Sequence, residues 1–329
     1  MIDSYQDIIN SLNAEQFDFD CSVKRIFNYQ KKQNPIYRRF LDLIEHNNSP
    51  QRIEDYPFCP IATFKHHQLK SGEWSAVEPC FMSSGTGGTR SKHYVRDLNH
   101  YHTISQKIFE RHFGSLKDYQ ILGLLPHYSD NPQSSLLSMV QHFMDYSAYE
   151  GKTVLSDLDL LYEQINSNKE NQIPTLIIGV SFAMLDYAST HQHELDDSFV
   201  VIETGGMKKY KREMSKEEIH SALGRSFRGA QICSEYGMTE CLAQAYSVDS
   251  IWIRMNDYFK VVITDPTDPG EVLPNGKTGR INIIDLANVA TLSFIATDDI
   301  GKISENDPNL FQVLGRLSNT DLRGCNYLI

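Results

Sequence analysis

Hydrophobic residues recur at helical spacing through the first 46 residues of the chain. Ile8 and Leu12 lie on one such stripe, and a second runs from Ile26 to Ile44. A spacing of three to four residues places side chains on one face of a helix. Asn34-Pro35 interrupts the pattern, because proline disrupts the interior of a helix. We therefore predict two or more amphipathic helices between residues 6 and 46.

Apolar runs and helical patterns alternate between residues 76 and 234. The predicted strands span residues 76–82, 119–126, 174–179, 199–203 and 231–234. The predicted helices span residues 98–113, 134–144, 181–190 and 216–224. Strands that alternate with helices are typical of a layered α/β fold.

The pattern changes after residue 250. The β-branched runs at 258–265, 279–285 and 291–296 are separated by proline, glycine and asparagine, which is typical of antiparallel strands. The sequence therefore predicts an α/β protein with a large layered N-terminal domain, residues 1–250, and a smaller, mainly β subdomain, residues 251–329.

Charge and composition narrow the classes of function. The chain has 329 residues and a net charge of −11, and nucleic-acid binding draws mainly on Lys and Arg. The N-terminal segment lacks the basic and apolar regions of a secretory signal. The longest apolar runs, 120–126 and 175–185, are too short to span a membrane. We therefore expect a cytoplasmic protein with no nucleic-acid partner and no membrane span.

A glycine- and hydroxyl-rich segment follows the first predicted strand. Its sequence is Ser83-Ser84-Gly85-Thr86-Gly87-Gly88-Thr89. Glycines allow consecutive N–H groups to point into one concavity, and the hydroxyls add neutral donors, so the segment can hold phosphate. Arg90 and Lys92 follow it and bring positive charge. A flexible turn without a ligand has the same composition, so both interpretations stay open for this segment taken alone.

The segment is not the phosphate loop of Walker-type ATPases. That motif requires a glycine, four further residues and then Gly-Lys-Ser/Thr before a helix. The chain has Gly276-Lys277-Thr278, but Glu271 occupies the position of the first glycine and a β-branched run follows. A Walker-type ATPase is therefore disfavoured.

Three further clusters carry groups suited to a nucleotide. Residues 235–240, Glu-Tyr-Gly-Met-Thr-Glu, combine an aromatic ring that can stack on a base with a carboxylate that can hold Mg²⁺. Residues 297–301, Thr-Asp-Asp-Ile-Gly, offer an aspartate to ribose hydroxyls, and Gly315-Arg316 adds a cation. Each cluster taken alone is more often a plain turn or strand end.

In order and spacing, the four pieces resemble the signature motifs of the adenylate-forming superfamily. Residues 83–88 resemble its SSGTTG phosphate loop, and residues 236–240 resemble its YGxTE motif for adenine and Mg²⁺. Residues 297–301 resemble its TGDxG ribose motif, and residues 315–316 resemble the GR of its hinge region. Within the superfamily, the chain most resembles the acyl-protein synthetases of bacterial bioluminescence (LuxE type), with phenylacetate–CoA ligases next. The likeness extends to residues 27–37, 57–65 and 203–206.

The resemblance implies that a carboxylic acid attacks the α-phosphorus of ATP, so that acyl-AMP forms and pyrophosphate leaves. ATP, Mg²⁺ and the acid would bind mainly in region 1–250. Glu240 would hold Mg²⁺, Thr239 would contact the α-phosphate, and His127 would lie beside the acyl carboxylate, unless it is an ordinary core or surface histidine. Phosphate contacts are implied for Ser83, Ser84, Gly85, Thr86, Gly87, Gly88, Thr89 and Lys92. Adenine and ribose contacts are implied for Gly205, Gly206, Tyr236, Gly237, Met238, Asp298 and Arg316.

The second half-reaction implied by the resemblance uses a thiol near the C-terminus. Acyl-protein synthetases resemble one another in moving the acyl group from AMP to a cysteine of their own and then to a partner. Cys325 is the candidate, and the alternative interpretation is that it is simply a small residue in a terminal strand. An acyl reductase, an acyl carrier protein or another acyl acceptor is the expected partner. The six cysteines form no CxxC pair, and we expect free thiols.

Two other hypotheses stay open, and an expected missing domain bears on both. Most adenylate-forming enzymes carry a further C-terminal lid domain, and this sequence stops at Ile329, just after the hinge-like motif, so we expect that domain to be absent. An acyl–CoA ligase is the alternative enzyme, although the lid normally builds the thioester-forming conformation. A non-catalytic or partner-dependent protein that holds an acyl group or a nucleotide is the alternative of another class. The sequence leaves open which fatty or aromatic acid is used, the final acceptor and the oligomeric state.

Overall fold

The computed structural model of the chain describes residues 3–46, 49–75, 80–83, 89–126, 129, 131–153, 157–205, 214–247 and 251–317. The α-helices are α1 (Tyr5–Leu12), α2 (Phe19–Gln33), α3 (Pro35–Leu43), α4 (Thr63–His66), α5 (Leu98–Phe113), α6 (Ser135–Tyr146), α7 (Leu158–Glu170), α8 (Ser181–Ala188) and α9 (Lys216–Ser226). The strands are β1 (Cys59–Pro60), β2 (Cys80–Met82), β3 (Lys92–Tyr94), β4 (Gln120–Leu124), β5 (Lys152–Thr153), β6 (Thr175–Gly179), β7 (His193–Glu194), β8 (Phe199–Glu203), β9 (Phe227–Arg228), β10 (Gln231–Tyr236), β11 (Ala245–Ser247), β12 (Ile253–Arg254), β13 (Phe259–Thr264), β14 (Gly279–Asp285), β15 (Phe294–Ile303) and β16 (Leu310–Arg316).

The chain forms two compact units, and each contains discontinuous segments. Unit 1 comprises residues 1–101, 239–243 and 255–329, and unit 2 comprises residues 102–238 and 244–254. This division differs from the expected boundary at residue 250, because the N-terminal helices belong with the C-terminal strands β13 to β16. The assignment of ATP and acyl binding to residues 1–250 stays a prediction.

Unit 2 is built on a sheet with strand order β12-β11-β10-β8-β6-β4-β5. The five strands from β10 to β5 are parallel, and β11 and β12 run antiparallel to their neighbours. Strands β4, β6 and β8 are buried along their whole length, as expected for parallel strands covered on both faces. One face packs on α7, α8 and α9 through the apolar residues Leu122, Leu161, Ile177, Met184, Val201 and Leu223.

Unit 1 contains an antiparallel sheet of β13, β14, β15 and β16, with the short strand β1 parallel to β15. A separate hairpin pairs β2 with β3. In β15, residues 294–297 are all buried, Asp298 is exposed and Asp299 is buried again. These two elements, the hairpin and the β15–β16 pair, carry most of the predicted site residues of this unit.

Two amides on the N-terminal helices connect them to the β14–β15 turn. Gln30 Nε2 donates to the carbonyls of Asn288 and Val289 at 2.9 and 3.1 Å, and Ser293 N donates to Gln30 Oε1 at 3.0 Å. Asn34 Nδ2 donates to the carbonyl of Thr291 at 2.8 Å. Both amide side chains are fully buried, so each satisfies backbone groups that water cannot reach.

The predicted break at Asn34-Pro35 is confirmed, and it has a physical reason. Asn34 is the N-cap of α3, because its Oδ1 accepts from Ile36 N and Tyr37 N, while Pro35 occupies the first helical position. Proline at that position needs no backbone donor. The same residue therefore ends α2 through its backbone N–H, and its side chain starts α3 and holds the β14–β15 turn.

No helix within the described segments is long and apolar enough to cross a membrane. The five cysteines found there, Cys21, Cys59, Cys80, Cys233 and Cys241, are free thiols as predicted.

The substitution Asn34→Ala is expected to lower the free energy of unfolding by about 3 kcal/mol, because it removes a helix cap and leaves the buried Thr291 carbonyl with one donor fewer. Asp157→Ala is the matched control, since Asp157 caps α7 at an exposed position, and its cost is about 1 kcal/mol. Urea unfolding of both variants measures the difference. Equal losses would contradict a role for Asn34 beyond capping.

Candidate functional site

The predicted phosphate segment joins the two strands of the β2–β3 hairpin in unit 1. Ser83 N donates to the Ser91 carbonyl at 3.2 Å, and Ser91 N donates to Ser83 Oγ at 3.1 Å. Arg90 Nε donates to the Ser83 carbonyl at 2.5 Å and Nη2 to the Met82 carbonyl at 3.3 Å. The Arg90 guanidinium thus closes the base of the loop. Thr89 and Lys92 are exposed beside it.

Glu240 is a buried carboxylate of unit 1. The residue is only 6% exposed. Burial raises the pKa of its carboxyl group, although a hydrogen bond from the Ser91 side chain and the nearby charges of Arg316 and Lys65 act in the opposite direction. A buried carboxylate with incomplete charge compensation is a favourable ligand for a small divalent cation. The oxygen donor and the surrounding polar groups therefore fit Mg²⁺.

Arg316 forms an ion pair with Asp299 in the same unit. Arg316 Nε lies 2.9 Å from Asp299 Oδ1, and the two residues face each other in the β15–β16 ladder. Asp299 is 6% exposed. The predicted ribose ligand, Asp298, points to solvent, and its carbonyl accepts from Leu317 N at 2.7 Å. Sequence reasoning named Asp298 and Arg316 but missed Asp299, which is the aspartate that the structure brings to Arg316.

The predicted adenine residues Gly205 and Tyr236 lie in unit 2 at the carboxyl ends of the adjacent parallel strands β8 and β10. The register pairs Glu203 with Ser234, and Gly205 and Tyr236 each follow two residues later. Ligands of open α/β sheets bind at this edge. Gly205 has φ of +69°, and a Cβ added there would meet no atom within 4 Å. The position therefore offers an open, flat surface.

A buried ion pair fixes the turn that contains Gly205. Glu203 is fully buried and accepts from Ser181, Ser234 and Lys216. Burial alone would raise the pKa of Glu203, but the Lys216 ammonium and these hydrogen bonds outweigh it and lower the pKa. Gly205 N donates to Glu203 Oε2 at 3.1 Å, and the Gly205 carbonyl accepts from Ser181 N at 3.0 Å. Neither Glu203 nor Lys216 was predicted as a site residue.

Glu235 is a second carboxyl group at this edge of unit 2. It is 8% exposed, and its side chain has no hydrogen-bond partner among the described residues. Burial raises its pKa to about 8, helped by the negative charge of Glu203 and opposed by Lys216. The group is therefore largely protonated near neutral pH and can donate a hydrogen bond. Its carboxyl group lies against Gly237, where any side chain would collide with it.

Of the remaining predicted site residues, the structure describes some and leaves others outside its described ranges. Gly237 is exposed, and Met238 and Thr239 are half-buried. Eight predicted positions lie outside the described residues, namely Ser84, Gly85, Thr86, Gly87, Gly88, His127, Gly206 and Cys325. Among the residues that are described, no three His, Cys, Asp or Glu side chains form a metal-binding group. An all-protein metal cage is thus absent from that part of the chain.

The raised pKa of Glu235 predicts a pH-dependent stability. An acid whose folded pKa is about 8 instead of 4.5 favours folding below pH 4.5, and that contribution is lost as pH rises through 8. The free energy of unfolding should therefore fall by about 2 kcal/mol between pH 6.5 and pH 8.5. The Glu235→Gln variant should lose this part of the pH dependence.

Urea unfolding at pH 6.5 and pH 8.5 measures the effect, with Glu163→Gln as the control at an exposed position. The control should keep the wild-type slope. If Glu235→Gln also kept it, the Glu235 carboxyl would already be ionised in the folded protein at pH 6.5.

The chain matches the acyl-protein synthetase family, LuxE, over residues 13–329. Two similar proteins are the long-chain-fatty-acid–luciferin-component ligases of Vibrio harveyi and Aliivibrio fischeri. The first is 22% identical over 325 residues, which cover 92% of this chain and 85% of the relative. The second is 21% identical over 329 residues, which cover 93% and 86%.

Solved structures of adenylate-forming enzymes share the fold. A 2-hydroxyisobutyryl-CoA ligase superposes with a TM-score of 0.66 at 12% identity, covering 91% of this chain and 75% of that one. ATP-bound MatB from Rhodopseudomonas palustris gives a TM-score of 0.52 at 16% identity, covering 72% of this chain and 47% of that one. The chain thus spans about half the length of MatB. The predicted α/β fold of the adenylate-forming enzymes is confirmed.

The family match extends over nearly the whole sequence, and the motif residues Glu240 and Arg316 lie together in unit 1. The chain belongs to the acyl-protein synthetase family, LuxE.

Proposed function

We propose that this chain activates a carboxylic acid with ATP, forms acyl-AMP and pyrophosphate, and transfers the acyl group to a protein thiol. The observation that carries the proposal is the buried Glu240 carboxylate with Ser91 and the charges of Arg316 and Lys65 around it. Two anions, a carboxylate and a triphosphate, must meet in this reaction. Positive charge and fixed orientation are therefore what the site has to supply.

Glu240 is proposed to hold Mg²⁺. When bound there, Mg²⁺ would supply positive charge that neutralises the triphosphate and stabilises the charge developing as the α-phosphorus is attacked. The Ser91 hydroxyl orients the Glu240 carboxylate. Ser83, Thr89 and Lys92 are proposed to contact the β- and γ-phosphates with the loop residues 84–88. Arg90 holds the ends of that loop together through the Met82 and Ser83 carbonyls.

Nucleoside ligands are proposed in each unit separately. Tyr236, Gly205 and Gly206 form the adenine slot, where the open surface at Gly205 supports the assignment. The Asp299–Arg316 pair is the best-supported ribose ligand, since a buried carboxylate held by Arg316 keeps a fixed orientation. Asp298 stays the competing candidate. Gly237 and Met238 are proposed to border the same slot, and Thr239 the α-phosphate.

The acid is proposed to be a fatty or aromatic acid. A fatty acid is supported by the similar proteins of Vibrio harveyi and Aliivibrio fischeri, which are long-chain-fatty-acid–luciferin-component ligases. His127 is proposed beside its carboxylate. In the second step, the Cys325 thiolate attacks the acyl carbon, a thioester forms, and the bond to the AMP oxygen breaks so that AMP leaves. An acyl reductase or acyl carrier protein would then accept the acyl group, in the cytoplasm.

An acyl–CoA ligase is the second candidate, favoured by the fold similarity to 2-hydroxyisobutyryl-CoA ligase. In that case coenzyme A attacks the acyl carbon, and AMP release depends on coenzyme A. A partner-dependent protein that only holds the acyl group or nucleotide would release no pyrophosphate. Pyrophosphate exchange and its dependence on coenzyme A distinguish the three.

ATP–pyrophosphate exchange with a panel of fatty and aromatic acids tests the proposal. Wild-type protein is expected to exchange label only with an accepted acid. Glu240→Gln should lower the exchange rate by roughly 100-fold, because the variant keeps the shape but loses the charge that holds Mg²⁺. Glu163→Gln, at an exposed position, is the matched control and should exchange at the wild-type rate.

Exchange by Glu240→Gln at the wild-type rate would remove Glu240 from the metal site. Binding of ATP without exchange for any acid would contradict stand-alone activation. A Cys325→Ser variant should retain exchange but lose the covalent acyl group, measured with labelled acid after denaturation and hydroxylamine treatment. Coenzyme A-dependent AMP release by that variant would instead favour the ligase.

The two aspartates of β15 give a paired prediction. Asp299→Asn should raise the KM for ATP by roughly 10-fold or more, because the amide neither pairs with Arg316 nor accepts from two hydroxyls. Asp298→Asn should raise it less. Steady-state KM values for ATP and for the acid measure both effects, and a larger effect at Asp298 would assign the ribose to that residue.

A further inference from the structure

Four hydrogen bonds within unit 1 hold the backbone of the segment that contains Glu240. His93 Nδ1 lies 2.8 Å from the Thr239 carbonyl. Asn288 Nδ2 donates to the Glu240 carbonyl at 2.8 Å. Asp285 Oδ2 accepts from the backbone N–H groups of residues 242 and 243 at 2.7 and 3.3 Å. The carbonyls of residues 239 and 240 and the N–H groups of residues 242 and 243 are therefore all held by side chains.

The partners of the His93 ring favour one position for its proton. The side chain is fully buried, and burial lowers its pKa to about 4 despite the hydrogen bonds to Thr239 and Asn288. The ring is therefore neutral near pH 7 and carries one proton. We assign that proton to Nδ1, where it is donated to the Thr239 carbonyl, because Nε2 can then accept from the Thr291 hydroxyl, whereas no donor among these partners faces Nδ1.

The other ring nitrogen is held by the β14–β15 turn. Thr291 Oγ1 lies 3.0 Å from His93 Nε2 and also hydrogen-bonds Asn288 Oδ1, which itself lies 3.1 Å from Nε2. The ring edge of Phe64 packs at 5.5 Å with an interplanar angle of 76°. The ring cannot rotate without breaking these contacts, so its Nδ1–H is aimed at one point on the backbone.

We propose that His93 is a positioning residue for the proposed adenylation reaction, because its Nδ1–H fixes the Thr239 carbonyl and thereby the direction of the Glu240 carboxylate. His93 touches no reacting group in this account. It acts through Thr239 and Glu240, and the inference rests on the proposed role of Glu240. Groups that orient a metal ligand typically change metal affinity or activity by 10- to 100-fold when they are removed.

Two amide substitutions separate the two sides of the ring. In His93→Asn, the amide nitrogen takes the place of Nδ1 and can still donate to the Thr239 carbonyl. In His93→Gln, the amide reaches the place of Nε2 and keeps the Thr291 side, but the donor to Thr239 is lost. His100→Gln is the matched control, since His100 is also buried and its Nε2 bonds the Ala287 carbonyl away from residues 239–243.

The Mg²⁺ dependence of ATP–pyrophosphate exchange is the activity readout. His93→Gln should require roughly 10- to 100-fold more Mg²⁺ for half-maximal exchange, while His93→Asn stays within about 3-fold of wild type and His100→Gln does not change the Mg²⁺ requirement. Thermal unfolding of all three variants shows how much stability each loses. Equal Mg²⁺ requirements for the Asn and Gln variants, or a loss of activity that only follows stability, would overturn the proposal.

Hydrogen exchange of the peptide spanning residues 236–244 is the second readout, and it does not depend on activity. His93→Gln should exchange faster there than wild type, while His93→Asn should not, because local opening follows the loss of the Nδ1 bond. If wild-type protein failed to catalyse exchange of pyrophosphate, the proposed function would fail, and this measurement alone would decide the role of His93. Unchanged protection in His93→Gln would overturn it.

Discussion

The irregular turn between β14 and β15 is buried, and its backbone must find hydrogen-bond partners without water. The N-terminal helices supply them on one side through Gln30 and Asn34. On its other side the turn presents Asn288 and Thr291 to residues 239–243 and to His93. An unpaired buried polar group costs about 1–3 kcal/mol. The turn is therefore the constraint that fixes both the N-terminal helices and the Glu240 segment.

This arrangement gives a physical reason why the resemblance to acyl-protein synthetases reaches far beyond the nucleotide motifs. The segments 27–37 include both Gln30 and Asn34. Gln30 and Asn34 are far in sequence from every predicted ligand contact. Each nevertheless hydrogen-bonds the buried β14–β15 turn, which in turn bonds the Glu240 backbone. Unit 2 uses the same device on a smaller scale, where Glu203 and Lys216 hold the turn at Gly205.

Much of the fold could be predicted from local patterns. The helix 98–113 and the strands 199–203 and 279–285 were predicted with their observed bounds, because each is an uninterrupted periodic or apolar run between breakers. Helix α7 was missed, since its apolar stripe is narrow and only Leu161, Ile165 and Asn168 are buried. The division into units was also not readable, because unit 1 joins the two ends of the chain through contacts such as Gln30 to Val289, 259 residues apart.

The site was predictable only where a motif is contiguous. Residues 236–240 and 315–316 could be named, but the ion pair of Arg316 with Asp299 could not, because the choice between Asp298 and Asp299 depends on which face of β15 each occupies. His93 was missed for a similar reason. Its partners Thr239 and Asn288 are 146 and 195 residues away in sequence, and no local pattern records such a contact.

The central claim is that the carboxylate of the acid attacks the α-phosphorus of ATP. A carboxylic acid labelled with ¹⁸O at both oxygens tests it directly, with the released nucleotide analysed by mass spectrometry after one round of acyl transfer. The account predicts AMP that carries one ¹⁸O atom, because the attacking oxygen stays on phosphorus when the acyl group leaves. Unlabelled AMP, or label in ADP or inorganic phosphate, would contradict it.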